Sequence, residues 1–214
     1  MPLELPSLPY GYDALSPVIS AQSLGNHHRN VHGGYIERLK ALGHGDFSLE
    51  SIMLTMRGEA HACACQAWNH TFLWQCLTPW YQTPAEGPLQ HAVMARWGSF
   101  EALLQALHAS AGAHFMGGWT WLVVTAAGRL DIINAADAGS PLLGGYHPLL
   151  AIDMWEHAWV PDYLGDRHKY LDRLETIINW PFVEQCFDDA VAAAQGRRPL
   201  VQFATLPQTG MPPR

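Results

Sequence analysis

The segment Leu149-Leu150-Ala151-Ile152-Asp153 constrains the fold of this chain more than any other. It reads as a short apolar strand that ends in a carboxylate. Burying an unpaired carboxylate is costly, so Asp153 requires a partner. His157 follows four residues on, within Asp153-Met154-Trp155-Glu156-His157. Two further histidines lie where helices can deliver them. His27, Val31 and Tyr35 fall at i, i+4 and i+8, on one helix face, and Gln66 and His70 are i, i+4 in a second helical segment. Taken alone, His27 and His70 each read as hydrogen-bonded core residues. Two antiparallel helices could bring them together across a shared face, and Asp153 with His157 then changes their meaning. A metal cation satisfies the carboxylate, and three imidazoles with one carboxylate form a mixed N/O set suited to Fe or Mn.

The rest of the 214-residue chain supports a globular frame for such a site. Hydrophobic residues make up 49% and charged residues 14%, which excludes a disordered chain. The formal net charge of −7 with no long basic run argues against nucleic-acid binding, and an anionic substrate would need a local positive field. Met1 leads into Pro-Leu-Glu-Leu-Pro, unlike a signal peptide, and no run is long enough to cross a membrane. The four cysteines lack zinc-ligand spacing, so reduced thiols in a cytoplasm are expected. His61-Ala62-Cys63-Ala64-Cys65 does not form a second metal site, because on a helix Cys63 points about 160° away from Cys65.

Ser20 is placed to cap a helix running to about Leu42, which Gly25, Gly33 and Gly34 should kink. Ser48 can cap a short helix to Met56. A long apolar helix covers about 59–77, before Pro79, and the Pro- and Gly-containing stretch 79–88 reads as a loop. Ser99 can cap a helix to about Ala113. Segments 119–125 and 130–134, turning at Ala127-Gly128, form a hairpin, and 149–153 adds a third strand. Helices are expected at about 166–179 and 181–194. The fold class is α+β: an N-terminal α-hairpin domain (1–88) and a C-terminal α/β domain (89–196) with a small three-stranded antiparallel sheet. A Pro-containing tail (197–214) follows.

Several segments carry a family resemblance. Trp68-Asn69-His70-Thr71-Phe72, Gly118-Trp119-Thr120-Trp121-Leu122 and Asp153-Met154-Trp155-Glu156-His157-Ala158, with Leu5-Pro6-Ser7-Leu8-Pro9-Tyr10 and Asn179-Trp180, resemble the signature segments of iron/manganese superoxide dismutases over about residues 3–190. The resemblance implies one metal between the two domains, held by His27, His70, Asp153 and His157. It also implies the reaction: one superoxide gives an electron to the ion and leaves as dioxygen, and a second takes it back and leaves as peroxide. Gln66, one turn before His70, is placed as in the iron-type branch. The manganese-type branch takes its glutamine from a turn that here reads Ala138-Gly139-Ser140-Pro141, without one. Iron, one per chain, is therefore expected, with manganese possible.

By the same resemblance Tyr35 is a gateway tyrosine linking the Gln66 amide to incoming solvent and substrate. His32, Trp74, Trp119 and Trp155 surround the metal, and Arg167 stands near the substrate funnel. Glu156 reaches the metal-ligating histidine of a second subunit, so a symmetric homodimer is expected. The chain departs from the family at Val31, usually a histidine, and Val160, usually a tyrosine. These two hydrogen-bond across the dimer interface in relatives, and replacing both by apolar groups can be near neutral. Asn30 stands for a usual lysine and Leu73 for a common tyrosine. Two rival readings remain. One is a mononuclear non-haem iron oxygenase, which needs open coordination positions and usually a strand-rich barrel. The other is a metal-binding homologue with little activity.

Overall fold

The computed structural model describes residues 3–80 and 82–194. The segment read as a tail, 197–214, lies outside the described residues. The first helical segment is three pieces: α1 (Ala21–Asn26), a π-helical turn (His27–His32) and α2 (Gly33–Ala41). Ser20 caps it, its hydroxyl accepting from Ser23 N at 3.1 Å. The interruption expected from the glycines therefore takes the form of a π turn. Its wider winding breaks the i, i+4 register assumed for His27, Val31 and Tyr35. His27, His28 and His32 all turn inward, while Val31 and Tyr35 are half-buried.

Helix α3 (Leu49–Thr55) is capped by Ser48, and α4 (Gly58–Cys76) is the long apolar helix, buried along most of its length. The cysteines on α4 are buried and free, and the Cys65 thiol lies 3.7 Å from His61 Nε2. Two helices depart from the sequence reading. Residues 88–97, the end of the expected loop and beyond, form α5 (Pro88–Trp97), with Pro88 at its start and Gly98 closing it in the left-handed region at φ 85°. Helix α7 (Glu156–Tyr163) begins three residues after the third strand and contains Pro161. Between them lies α6 (Phe100–Gly112), capped by Ser99 as expected. Later come α8 (Arg167–Leu174), a 3₁₀ turn (Glu175–Ile177) and α9 (Trp180–Ala194).

The sheet is antiparallel with order β2-β1-β3: β1 (Trp119–Val124), β2 (Leu130–Ala135) and β3 (His147–Asp153). Gly128, at φ 73°, turns the hairpin. The central strand β1 is wholly buried, which fits its apolar sequence, and its one polar residue, Thr120, donates its hydroxyl to Asn134 Oδ1 at 2.7 Å. Trp119 pairs with Asp153 across β1 and β3, so the register sets an indole beside the carboxylate. Strand β3 packs against α4 and α9, linking the helical half to the α/β half. The halves are also stitched by backbone: Thr78 N donates to Ile177 O at 2.8 Å, and Asn179 N to Cys76 O at 2.8 Å. Asn179 further donates from Nδ2 to Gln75 O at 2.9 Å.

Candidate metal centre

Four elements meet at Asp153. The π turn supplies His27, α4 supplies His70, the end of β3 supplies Asp153, and α7 supplies His157. One ligand atom from each lies within 4.8 Å of the others. Asp153 Oδ2 is 3.1 Å from His157 Nε2, 3.2 Å from His27 Nε2 and 3.7 Å from His70 Nε2. The carboxylate is completely buried. Its Oδ1 accepts from Trp155 N at 2.8 Å, and its backbone carbonyl accepts from the Tyr170 hydroxyl at 3.2 Å.

The histidine nitrogens report what the site is built to hold. Gln66 O is an acceptor 2.7 Å from His70 Nδ1, so Nδ1 carries the proton and Nε2 presents a lone pair towards Asp153. Yet the Nε2 atoms of both His27 and His70 are buried without a hydrogen-bond partner. Orphaned buried polar atoms are rare and need a cause. A cation among these four atoms removes the cause at both nitrogens, and an N₃O donor set matches Fe or Mn. The residues fit the ion.

Two tryptophans wall the cluster. The Trp74 ring centroid is 4.8 Å from that of His27, and the Trp119 centroid 5.0 Å from that of His70. Trp119 donates its indole N–H to Gln66 Oε1 at 3.1 Å, which turns the amide N–H₂ end away from Trp119. Trp74 donates to His32 Nδ1 at 3.0 Å. Thr71 donates its hydroxyl to Ala67 O, so it accepts from His32 Nε2, 3.3 Å away. His32 is thereby a neutral, fixed ring stacked on His70 at 5.5 Å.

Other expected members stand differently. The Trp155 ring packs against Gly117 and its indole donates to Asp137 O at 3.3 Å, while its backbone N–H donates to Asp153. Tyr35 lies with its ring 5.7 Å from that of His70, but its hydroxyl makes no hydrogen bond among the described residues, to Gln66 or elsewhere. Arg167 is half-buried, donating to His114 O at 2.6 Å and lying over the Trp159 ring at 5.2 Å. Glu156 is exposed, and Val31 and Val160 are half-buried. Tyr170 was not singled out from sequence; one tyrosine on an amphipathic helix carries no signal that its hydroxyl meets a ligand's backbone.

Burial lowers the pKa of His27 and pushes that of His70 well down, so both imidazoles are neutral and ligand-competent at neutral pH. His32 is lowered to about 3, chiefly by burial and then by His28 and His27. Burial alone would raise Asp153, but His157 and His27 override it and hold the carboxyl well below its ordinary range. The consequence for the metal-free protein has a definite sign. Histidines with depressed folded values take up fewer protons than in the unfolded chain, so stability falls as pH drops below about 6.5. His32 alone should cost about 2 kcal/mol between pH 6.5 and pH 5. Asp153 adds a further loss only as pH falls below about 4. Denaturant unfolding of metal-free protein at pH 7, 6 and 5 checks this; a midpoint flat across that range would contradict it.

Comparison with known proteins now bears on these residues. The family model for the alpha-hairpin domain of iron/manganese superoxide dismutases matches residues 2–78, and the model for their C-terminal domain matches residues 85–186. Among curated proteins, a superoxide dismutase [Fe] of Pseudoalteromonas translucida is 42% identical over 189 residues, covering 86% of this chain and 98% of the relative. Those of Bordetella pertussis and Escherichia coli K12 are 41% and 40% identical over 187 residues, each covering 86% of this chain and 97% of the relative. A match that runs through both halves, and through every element that delivers a donor atom to Asp153, places this chain in the iron/manganese superoxide dismutase family.

Proposed function

We propose that this chain disproportionates superoxide to dioxygen and hydrogen peroxide, with one iron ion held by His27, His70, Asp153 and His157. The observation that carries the reading is the pair of buried, partnerless Nε2 atoms aimed at one carboxylate oxygen. Bound iron supplies the one-electron couple that such a reaction needs. The protein's own residues do the rest. Trp74 and Trp119 exclude water and hold the imidazoles. Gln66, its carbonyl pinned by Trp119, keeps amide hydrogens to donate within the site. Burial, and next the charge of Asp153, raises the Tyr35 pKa, so the phenol keeps its proton at neutral pH and can pass it towards peroxide. Arg167 contributes positive charge on a chain of net charge −7.

Iron rather than manganese is supported by Gln66 on α4, by the absence of glutamine at Ala138-Gly139, and by the relatives, which are superoxide dismutases [Fe]. Purified protein should contain about one iron per chain and dismutate superoxide. Elemental analysis and a superoxide assay on one sample test both parts. High activity with almost only manganese would overturn the choice of iron, and metal without activity would overturn the reaction.

The working assembly on this reading is a homodimer in the cytoplasm. Among the described residues no helix is long and apolar enough to cross a membrane. The four cysteines are free and buried, which suits a reducing compartment. Phe115, Met116 and Leu164 are 93%, 76% and 90% exposed, on segments joined by the bond from Arg167 to His114 O. Such side chains favour cover by a partner, and Glu156 is exposed close by, one residue from His157. Val31 and Val160 then meet across the interface as an apolar contact. Val31→His or Val160→Tyr alone should destabilise the dimer by about 1–3 kcal/mol, by burying an unmatched polar group. The double substitution should recover much of that loss. Thermal denaturation of the three variants is the measurement, and strictly additive effects would show that the two positions do not touch.

A further inference from the structure

Among the imidazoles gathered at Asp153, His27 lacks the bond behind the ring that orients His70. His70 is oriented by its Nδ1 bond to Gln66 O, and His32 is engaged at both nitrogens. His27 Nε2 faces the Asp153 carboxylate at 3.2 Å, and among the described residues no bond to a group behind the ring is found. Metal-ligating histidines ordinarily gain their orientation from a bond at the other ring nitrogen. The direction of His27 must therefore come from its packing against Trp74 and His157, at 4.8 and 4.6 Å, and from the backbone that carries it. That backbone is the start of a π turn whose preceding residue, Asn26, gives no side-chain cap, behind a helix of only six residues.

The next residue is pinned at both ends. His28 is buried, and its Nε2 lies 2.8 Å from the carbonyl of Pro6. A carbonyl only accepts, so Nε2 carries the proton. Nδ1 of the neutral ring then accepts from the Tyr12 hydroxyl at 2.8 Å. The Arg29 guanidinium lies 4.5 Å over the Tyr12 ring and holds it in place. The same arm reaches the tryptophan packed on His27, since the Tyr10 hydroxyl donates to Trp74 O at 3.1 Å. With both nitrogens engaged by the arm, His28 has none to offer a metal.

The geometry points to His28 as a positioning residue of the metal centre: its two hydrogen bonds to the N-terminal arm lock the π turn and thereby the direction in which His27 presents Nε2. The inference rests on the metal-centre reading above. It makes residues 6–12 part of the site's support, although none of them contributes a ligand.

The test uses iron-loaded wild-type protein, His28→Phe, His28→Gln and Tyr12→Phe. Two readouts are the rate of iron loss to a chelator and the line shape of the ferric electron paramagnetic resonance signal. His28→Phe keeps a ring but loses both bonds. It should release iron about tenfold faster, the scale of lost support behind a ligand, with a changed ferric signal. His28→Gln can return an N–H to Pro6 O and should recover most of the difference. Tyr12→Phe should move both readouts in the same direction by less, and it carries the test if His28→Phe fails to fold. Wild-type iron loss and an unchanged signal in His28→Phe, whatever its melting temperature, would overturn the inference, as would His28→Gln behaving no better than His28→Phe. Wild-type protein that itself held no iron would instead overturn the metal-centre reading.

Discussion

Asp153→Ala should yield protein without stoichiometric iron and without measurable dismutation. Asp153 Oδ2 is the one atom that all three Nε2 atoms approach, at 3.1 to 3.7 Å. Removing it takes away the only carboxylate among the four donors and leaves three imidazoles. The substitution also strips the Trp155 N–H of its acceptor, so some loss of stability is expected as well. His157→Ala separates the two effects. Its side chain is 22% exposed and comes from α7, at the rim of the cluster, so the fold should survive while iron is lost. Elemental analysis, circular dichroism and a superoxide assay on the same preparations decide the matter. Either variant keeping one iron per chain with full activity would refute the ligand assignment.

Trp74→Ala should produce a large loss of stability. The side chain is 1% exposed, and large-to-small substitution of a buried tryptophan costs about 3–5 kcal/mol. The effect extends beyond the cavity. Trp74 supplies the N–H that His32 Nδ1 accepts, and its ring packs on His27. Trp74→Phe distinguishes these parts, because it keeps a ring and removes the donor. Leaving His32 Nδ1 buried without a partner should cost about 1–3 kcal/mol. Denaturant titration of metal-free wild type and both variants gives the two numbers. If Trp74→Phe proved as stable as wild type, the bond to His32 would not matter to the fold.

Much of this architecture is legible in the amino-acid sequence. The three serine caps, the hairpin turn at Gly128 and the alternation between helical and strand segments are local properties, set by side chains acting on their own backbone. The ligand set was readable for a different reason. A carboxylate ending an apolar strand states an electrostatic problem that the chain must solve, and a histidine four residues on, with two more on apolar helices, states the solution. Helices α5 and α7 were not readable in the same way. Pro88 punctuates a loop and starts a helix with equal ease. Pro161 inside an eight-residue segment argues against helix until the neighbouring elements pack on it.

What the tertiary structure alone decided is orientation. The π turn at 27–32 replaces the expected face of His27, Val31 and Tyr35 with one that turns His27, His28 and His32 inward. A sequence period cannot show this, because the extra residue per turn is paid for by contacts with α4 and with the N-terminal arm. The same holds for the Trp155 indole, which bonds to Asp137 O, and for the Tyr35 ring, which lies 5.7 Å from that of His70. Residue types and the cost of burying them dictate which chemical groups this protein brings together and which ion they suit. Which nitrogen carries the proton is local for His70, set by Gln66 four residues away, but for His28 and His32 it depends on partners 16 to 42 residues away that only the folded chain brings within hydrogen-bonding distance.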